Sequence, residues 1–250
     1  LKLSPDAGYE WVVTWGGGPK SICLTDDGGI AVAGTFREGS DLDPGPDPLV
    51  PTVDGVGYNA FVTKFDSQGE FQWTYYWGDG ADNAGRGLVS DSTGTIYAIG
   101  YFGGTLDYVM DSDERHIESN GDTDVCLISI HEVGDINWLR TWGGQWSDYG
   151  LAAALDGSGG IYAAGFAKDH VDFDPGPESL ILSSESMYWD AFLSRFDSEG
   201  ELVWVRRWGN AGPEDPNAIT TDQEGNVYVT GRAGNEMDFR IFSPDGNEIE

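Results

Sequence analysis

Cysteine, histidine, basic side chains and long apolar runs are all scarce in this chain, and each scarcity removes a class of protein. Two cysteines in 250 residues, Cys23 and Cys126, make no disulfide framework. They fall at repeat positions where other copies carry Leu, Ala, Ile or Phe, and so read as small core hydrophobes. The three histidines, His116, His131 and His170, have no Cys or His partner at zinc spacing. No apolar run approaches the roughly 18 residues of a membrane-spanning helix, and no signal-peptide pattern is visible at Leu1, which reads as falling within a strand. Only 13 Lys and Arg stand against 43 Asp and Glu, a formal charge of −30. Self-repulsion keeps such a surface soluble and argues against binding to nucleic acid or an anionic membrane. An acidic surface suited to high salt, carboxylates that bind calcium, and a merely solvated acidic face all remain open.

What is abundant is glycine, at 37 residues, and aromatic side chains, at 13% of a chain that is 39% hydrophobic. This is a globular composition, and glycines at regular offsets favour many short strands joined by tight turns. The motif Trp-x-x-x-Trp-Gly occurs four times, beginning at Trp11, Trp73, Trp138 and Trp204, so the copies start 62, 65 and 66 residues apart. A period of this size indicates a solenoid, a propeller or an array. Along a strand the two tryptophans share one face, because side chains alternate with period 2. Eight of the ten tryptophans are used this way, which assigns them to packing between adjacent sheets.

Each unit repeats four strand signals. Strand a is the apolar stretch before an Asp-rich turn, over residues 22–25, 87–90, 152–155 and 218–221. The turn reads Asp26-Asp27-Gly28-Gly29, Asp91-Ser92-Thr93-Gly94, Asp156-Gly157-Ser158-Gly159 and Asp222-Gln223-Glu224-Gly225, with Asp as cap and Gly at positive φ. Strand b follows, ending at Gly34, Gly100, Gly165 and Gly231, and strands c and d form a second hairpin ending in the tryptophan motif. Four antiparallel strands joined by tight turns make one propeller blade. The expected fold is therefore all-β: a β-propeller of four-stranded antiparallel blades, with about four repeats of 62–66 residues. Residues 1–16 would be the outer hairpin of a preceding or closing blade. Residues 17–78, 79–143 and 144–209 would be blades and 210–250 a partial one, in an excerpt of a longer propeller or a four-bladed ring with a spare tail.

The units resemble the bacterial SBBP ("seven-bladed β-propeller") repeat family. The resemblance rests on Ile219-Thr220-Thr221-Asp222-Gln223-Glu224-Gly225-Asn226-Val227-Tyr228-Val229-Thr230-Gly231, on Asn59-Ala60-Phe61-Val62-Thr63-Lys64-Phe65, and on Trp142-Gly143-Gly144. It implies a secreted or cell-surface bacterial protein, with further blades or domains in the same polypeptide. It implies no activity, since the family has no common catalytic residues to carry over.

Function is expected on the face carrying the b–c and d–a loops, because the b–c insertions over residues 37–59, 101–124 and 166–190 exceed ordinary hairpin length. Two candidate sites lie there. The first is a calcium set of Asp41, Asp43 and Asp47 in one loop and Asp172, Asp174 and Glu178 in another, where paired carboxylates and a Pro-Gly turn could supply oxygens. In every unit an Asp also follows the strand-b Gly by seven residues: Asp41, Asp107, Asp172 and Asp238. The second is a ligand platform of Trp146, Asp148, Tyr149, Tyr188 and Trp189, with ring faces to stack on a sugar and a carboxylate to accept its hydroxyls. No Gly-x-Ser-x-Gly elbow or phosphate loop is present, so no catalytic residue is assigned. The leading expectation is a non-catalytic binding or adhesion module for an extracellular glycan or protein. An extracellular carbohydrate-active enzyme using loop carboxylates, and a purely structural spacer, are the alternatives.

Overall fold

A computed structural model describes residues 2–53, 56–184, 188–209 and 212–249. Residues 54–55 and 185–187 of the b–c loops, and 210–211 of the last d–a connection, lie outside the described residues. Among those described there is no helix, and every paired strand is antiparallel.

The chain opens with a short hairpin, β1 (Lys2–Leu3) and β2 (Tyr9–Trp11). The first four-stranded sheet follows in sequence order: β3 (Gly18–Leu24), β4 (Ile30–Phe36), β5 (Asn59–Phe65) and β6 (Phe71–Trp77). The second begins with β7 (Ala84–Ser90) and β8 (Ile96–Phe102). It is interrupted by a separate hairpin, β9 (Thr105–Met110) with β10 (Asp113–Glu118), and finishes with β11 (Asp124–Ile130) and β12 (Ile136–Gly144). In the third unit β13 (Tyr149–Leu155) and β14 (Ile161–Lys168) precede two short strands, β15 (His170–Asp172) and β16 (Ile181–Ser183), and then β17 (Trp189–Phe196) and β18 (Leu202–Trp208). The fourth sheet is β19 (Glu214–Thr221), β20 (Val227–Ala233), β21 (Glu236–Phe242) and β22 (Glu248–Ile249).

Successive sheets stack, and the hydrophobic cores lie between them. One core joins Ala31, Val62 and Trp77 of the first sheet to Leu88, Ala98 and Ile128 of the second. The next joins Ile99, Trp138 and Trp142 to Ile161, Phe192 and Phe196, and a third joins Tyr162 and Trp204 to Val227 and Phe242. The central strands are buried on both faces, and all seven residues of β5 and of β11 are buried.

The tryptophan motif makes these contacts in a repeated geometry. The first indole of each copy donates its N–H to a carbonyl in the c–d turn of the next unit: Trp73 to Glu132 and Trp138 to Ser198, both at 2.9 Å, and Trp204 to Pro244 at 2.9 Å. Trp11 does the same to Ser67 at 3.4 Å, so the opening hairpin sits on the first sheet as each c–d hairpin sits on its successor. In three of the four copies, those ending in Trp15, Trp142 and Trp208, the second indole packs on strand-c phenylalanines of the next unit. Trp15 contacts Phe61 and Phe65, and Trp142 contacts Phe192 and Phe196. The expected packing role of the tryptophans is what the structure has.

The glycine that closes the motif has a steric reason. A Cβ on Gly78 would lie 2.6 Å from both Asn59 Oδ1 and Asn83 Nδ2, and one on Gly143 or Gly209 would overlap Asp124 or Asp190. Asn59, Asp124 and Asp190 hold equivalent places at the head of strand c, one residue before the partner of the second tryptophan.

Two details differ from the sequence expectation. In the first unit Thr25, not Asp26, holds the leading turn position. Its N–H bonds Gly29 O, its carbonyl accepts from Gly28 N, and Asp27 supplies the capping carboxylate. The turn is thus Thr25-Asp26-Asp27-Gly28, one residue earlier than the Asp-to-Asp alignment gives. The later turns follow expectation, with Asp91, Asp156 and Asp222 each accepting two backbone amides. Strand a also carries a β-bulge in every unit. The register slips between Pro19 and Ser21, Gly85 and Gly87, Gly150 and Ala152, and Pro216 and Ala218, leaving Lys20, Arg86, Leu151 and Asn217 as the extra residues.

Candidate functional site on the loop face

The two Asp-rich b–c loops are anchored by the residue between their first two aspartates, since Leu42 and Phe173 are fully buried. Around each plug the carboxylates cap the loop's own backbone. Asp41 Oδ1 accepts from Asp43 N at 3.1 Å and Leu49 N at 2.9 Å, and Asp43 Oδ1 accepts from Gly45 N at 2.7 Å. In the third unit Asp172 Oδ1 accepts from Asp174 N at 3.2 Å and Leu180 N at 2.8 Å, with Ser179 Oγ donating to Oδ2 at 2.6 Å. Asp174 Oδ1 accepts from Gly176 N at 2.8 Å. Burial opposes ionisation of Asp172, but the bonds from Ser179, Leu180 and Asp174 outweigh it and hold its carboxyl below the ordinary value.

These loops also tie neighbouring units together. Asp172 and Val171 of β15 pair with Gly143 and Gly144 at the end of β12, extending the second sheet to six strands. Gly16 N likewise donates to Asp41 O at 2.6 Å. The motif Asp-(Leu/Phe)-Asp-Pro-Gly-Pro is thus a clip between units. Among the described residues no group of three or more His, Cys, Asp or Glu side chains is placed to hold a metal ion. The recurring Asp after strand b is not one site repeated either. Asp107 is exposed and bonds His116 at 3.0 Å, whereas Asp238 accepts from Trp208 Nε1 at 3.0 Å and pairs with Arg240 at 3.1 Å.

The structure brings Trp146 and Trp189 together around Lys168. The Lys168 ammonium lies 4.7 Å from the Trp146 ring and 5.2 Å from the Trp189 ring, a cation between two indoles. Trp189 Nε1 donates to Ser147 O at 3.1 Å, joining the start of β17 to the d–a loop that opens the unit. Trp146 and Tyr188 are 43% and 46% exposed and so accessible to a ligand. A ladder of rings leads away from this cluster: Trp189 to Phe166 at 6.0 Å, Phe166 to Tyr149 at 4.9 Å, and Tyr149 to Tyr101 of the second unit at 4.6 Å.

Asp148 does not belong to that accessible surface. It is fully buried, Oδ2 accepting from Gly144 N at 2.7 Å and Oδ1 from Lys168 N at 2.8 Å, so it clamps the start of the d–a loop to the end of β14. Desolvation pushes its carboxyl up to about 7 despite those bonds, with the nearby Asp124 charge adding to the rise. Asp124, also buried, is pushed up to about 6 by desolvation. In the second unit the corresponding position is the buried Asn83, which donates to Tyr58 O at 2.9 Å and accepts from Gly103 N at 3.2 Å. The neutral amide there keeps the equivalent bond, to Gly103, and replaces the other with one to Tyr58 O of the preceding unit.

Sequence reasoning passed over a cavity of about 680 Å³ at the mouth between the first and second units, lined by Lys20, Arg37, Tyr58, Asp82, Arg86 and Tyr101 among others. The signal that could have found it is the extra residue in strand a, visible as Pro19-Lys20-Ser21 and Gly85-Arg86-Gly87 between the glycine step and the apolar run.

Comparison with known proteins agrees with the repeat reading. Residues 203–236 match the family model described as a beta-propeller repeat, SBBP. The chain is also similar to the regulatory protein FlaEY of Caulobacter vibrioides, at 26% identity over 220 residues. That match covers 83% of this chain and 22% of the relative, so the chain spans about a fifth of the relative's length. Among solved structures, a protein of unknown function from Bacteroides caccae aligns over 96% of this chain and 82% of its own at 9% identity, with a TM-score of 0.37.

Proposed function

We infer that the chain is a run of β-propeller blades serving as a non-catalytic binding module through its b–c and d–a loops. The matched repeat at 203–236 supports extending the propeller reading to the other three units, because all four share strand order, turns, bulge and tryptophan geometry. Exposed apolar side chains at both ends of the stack, Ile22 at 64% and Leu24 at 76% in β3, Met237 at 95% and Phe239 at 63% in β21, fit an arrangement in which further blades cover them. A place at the cell surface or outside the cell follows from the family resemblance, and a regulatory role would be an extension from the relative's name alone.

The observation that carries the binding reading is the division of the tryptophans. Those of the strand motif serve sheet packing, whereas Trp146 stands on a loop and Trp189 opens β17, with Lys168 held between them. Rigid aromatic surface with one accessible ring is what a glycan or a peptide side chain needs for stacking. The buried carboxyls with raised pKa do not favour a hydrolase, since Asp148 commits both oxygens to backbone amides. The test is a glycan and protein array read alongside a hydrolysis assay. Binding lost in Trp146→Ala or Tyr188→Ala with no turnover supports the module, whereas turnover abolished by replacing one loop carboxylate contradicts it.

A further inference from the structure

We propose that the cavity between the first two units binds a small hydroxylated ligand through a single oxyanion, a carboxylate or phosphate, with Lys20, Arg37 and Arg86 as its cationic contacts. The inference deepens the binding-module reading and rests on its choice of face, but its residues are distinct from the aromatic cluster of the third unit.

Three observations carry it. Cations are rare here, 13 against 43 acids, and most are ion-paired: Lys2, Lys64, Arg140, Arg195, Arg207, Arg232 and Arg240 each face a carboxylate. Lys20, Arg37 and Arg86 line one cavity, and among the described residues none of the three is in an ion pair, although acids surround them in sequence. Unpaired cations gathered in so acidic a chain leave a local positive field for a ligand to neutralise.

The second observation is how two of them reach the cavity. Lys20 and Arg86 are the extra residues of the bulges in β3 and β7, and a bulge re-aims one side chain without breaking the sheet. The other two bulges hold Leu151 and Asn217, so the shared backbone device presents a cation only where this cavity lies. Third, the cavity wall is suited to a ring. Arg37 lies 4.1 Å over the Tyr58 ring, which fixes its guanidinium, and Tyr101 with the hydroxyls of Thr35 and Ser40 offers hydrogen-bonding partners.

Size and charge define the ligand. A cavity of about 680 Å³ accommodates one or two sugar-sized rings. The three lining cations outnumber the one lining carboxylate, Asp82, while the acidic surface beyond repels an extended polyanion, and at physiological salt that outer field decays over about 8 Å. A small ligand with one oxyanion meets both conditions.

Titration calorimetry with the whole chain tests this, using glucuronate, glucose 6-phosphate and glucose. At least one anion should bind about tenfold or more tighter than glucose, the factor expected from one charge-assisted contact. Which anion binds better identifies carboxylate or phosphate as the source. The pair Lys20→Gln and Arg86→Gln should lower that affinity about tenfold or more, with an unchanged urea midpoint since neither side chain is ion-paired. Arg86→Lys, keeping charge but losing the planar fork, should fall between. If the double variant proves unstable, amide shifts in the wild type on adding glucuronate or glucose 6-phosphate should centre on Lys20, Arg37 and Arg86. Equal binding of all three sugars, anion affinity retained in the double variant, or shifts centred elsewhere would overturn the proposal. Anion binding that survives in the double variant but is lost in Trp146→Ala would sink this pocket and leave the binding-module reading standing.

Discussion

Adding one methyl group to Gly200 tests how one unit seats on the next. Gly200 lies in the third unit's c–d turn at φ +78°, beneath the Trp138 indole of the second unit, and a Cβ there would meet ring carbons at 2.9 Å. Gly200→Ala therefore carries two penalties: the left-handed backbone, about 1–2 kcal/mol for a residue with a Cβ, and overpacking against the ring, about 1–3 kcal/mol. Gly157 isolates the first, with φ +75° and nothing within 4 Å of an added Cβ, so Gly157→Ala should cost only about 1–2 kcal/mol. Trp138→Ala removes a nearly buried ring together with its bond to Ser198 O and should cost about 3–5 kcal/mol. In the double variant Trp138→Ala/Gly200→Ala the overpacking disappears, so the two changes together should cost about 1–3 kcal/mol less than their sum. Urea unfolding followed by far-ultraviolet circular dichroism measures all four variants. If Gly200→Ala costs no more than Gly157→Ala and the cycle adds within about 0.5 kcal/mol, the ring does not lie over that turn and the stacking account fails.

Other consequences follow from the same geometry. Asp148 and Asp124 have carboxyls raised to about 7 and about 6, so the folded chain binds protons that the unfolded chain releases. Their contribution is therefore most favourable below about pH 4 and declines as pH rises toward 7, and stability should fall between pH 5.5 and 8 in urea titrations. Asp148→Asn should flatten that slope, and an unchanged slope would contradict the assignment. Asp174→Ala should lower stability by about 1 kcal/mol through its lost cap to Gly176, equally in chelator and in millimolar calcium. A melting rise with calcium that this variant abolishes would instead make Asp174 a metal ligand. Asp156→Ala should cost more, about 3–5 kcal/mol, because its buried carboxylate pairs with Arg195 at 2.6 Å and caps two turn amides.

Much of the fold was legible because the unit is written four times: the tryptophan period, the turn glycines and the apolar strands each repeat. The shift at Thr25 was missed because Asp26-Asp27-Gly28-Gly29 offers two registers. The hydroxyl of Thr25 can stand where the other units use Asp, and sequence alone does not choose between them. The site was less legible. Asp43 and Asp174 are legible in sequence only as carboxylates beside a Pro-Gly turn; that each caps an amide two residues on, beside a buried Leu42 or Phe173, is seen in the structure. Asp148 lies beside loop aromatics in sequence yet points inward, as Asn83 does one unit earlier. Lys20 and Arg86 leave only a weak signal, one extra residue between the glycine step and the apolar run, because a bulge inserts it without disturbing the apolar pattern on either side.

The most direct test of the stacking account is a search for nuclear Overhauser contacts from the first indole of each motif. Cross-peaks should join Trp11 to Gly69, Trp73 to Gly134, Trp138 to Gly200 and Trp204 to Gly246, each pair bridging two units. The four indole N–H protons should also exchange slowly, since each bonds a turn carbonyl of its neighbour. Rings that show contacts only within their own sheets, with fast-exchanging indole protons, would contradict the claim that this strand seats one unit upon the next.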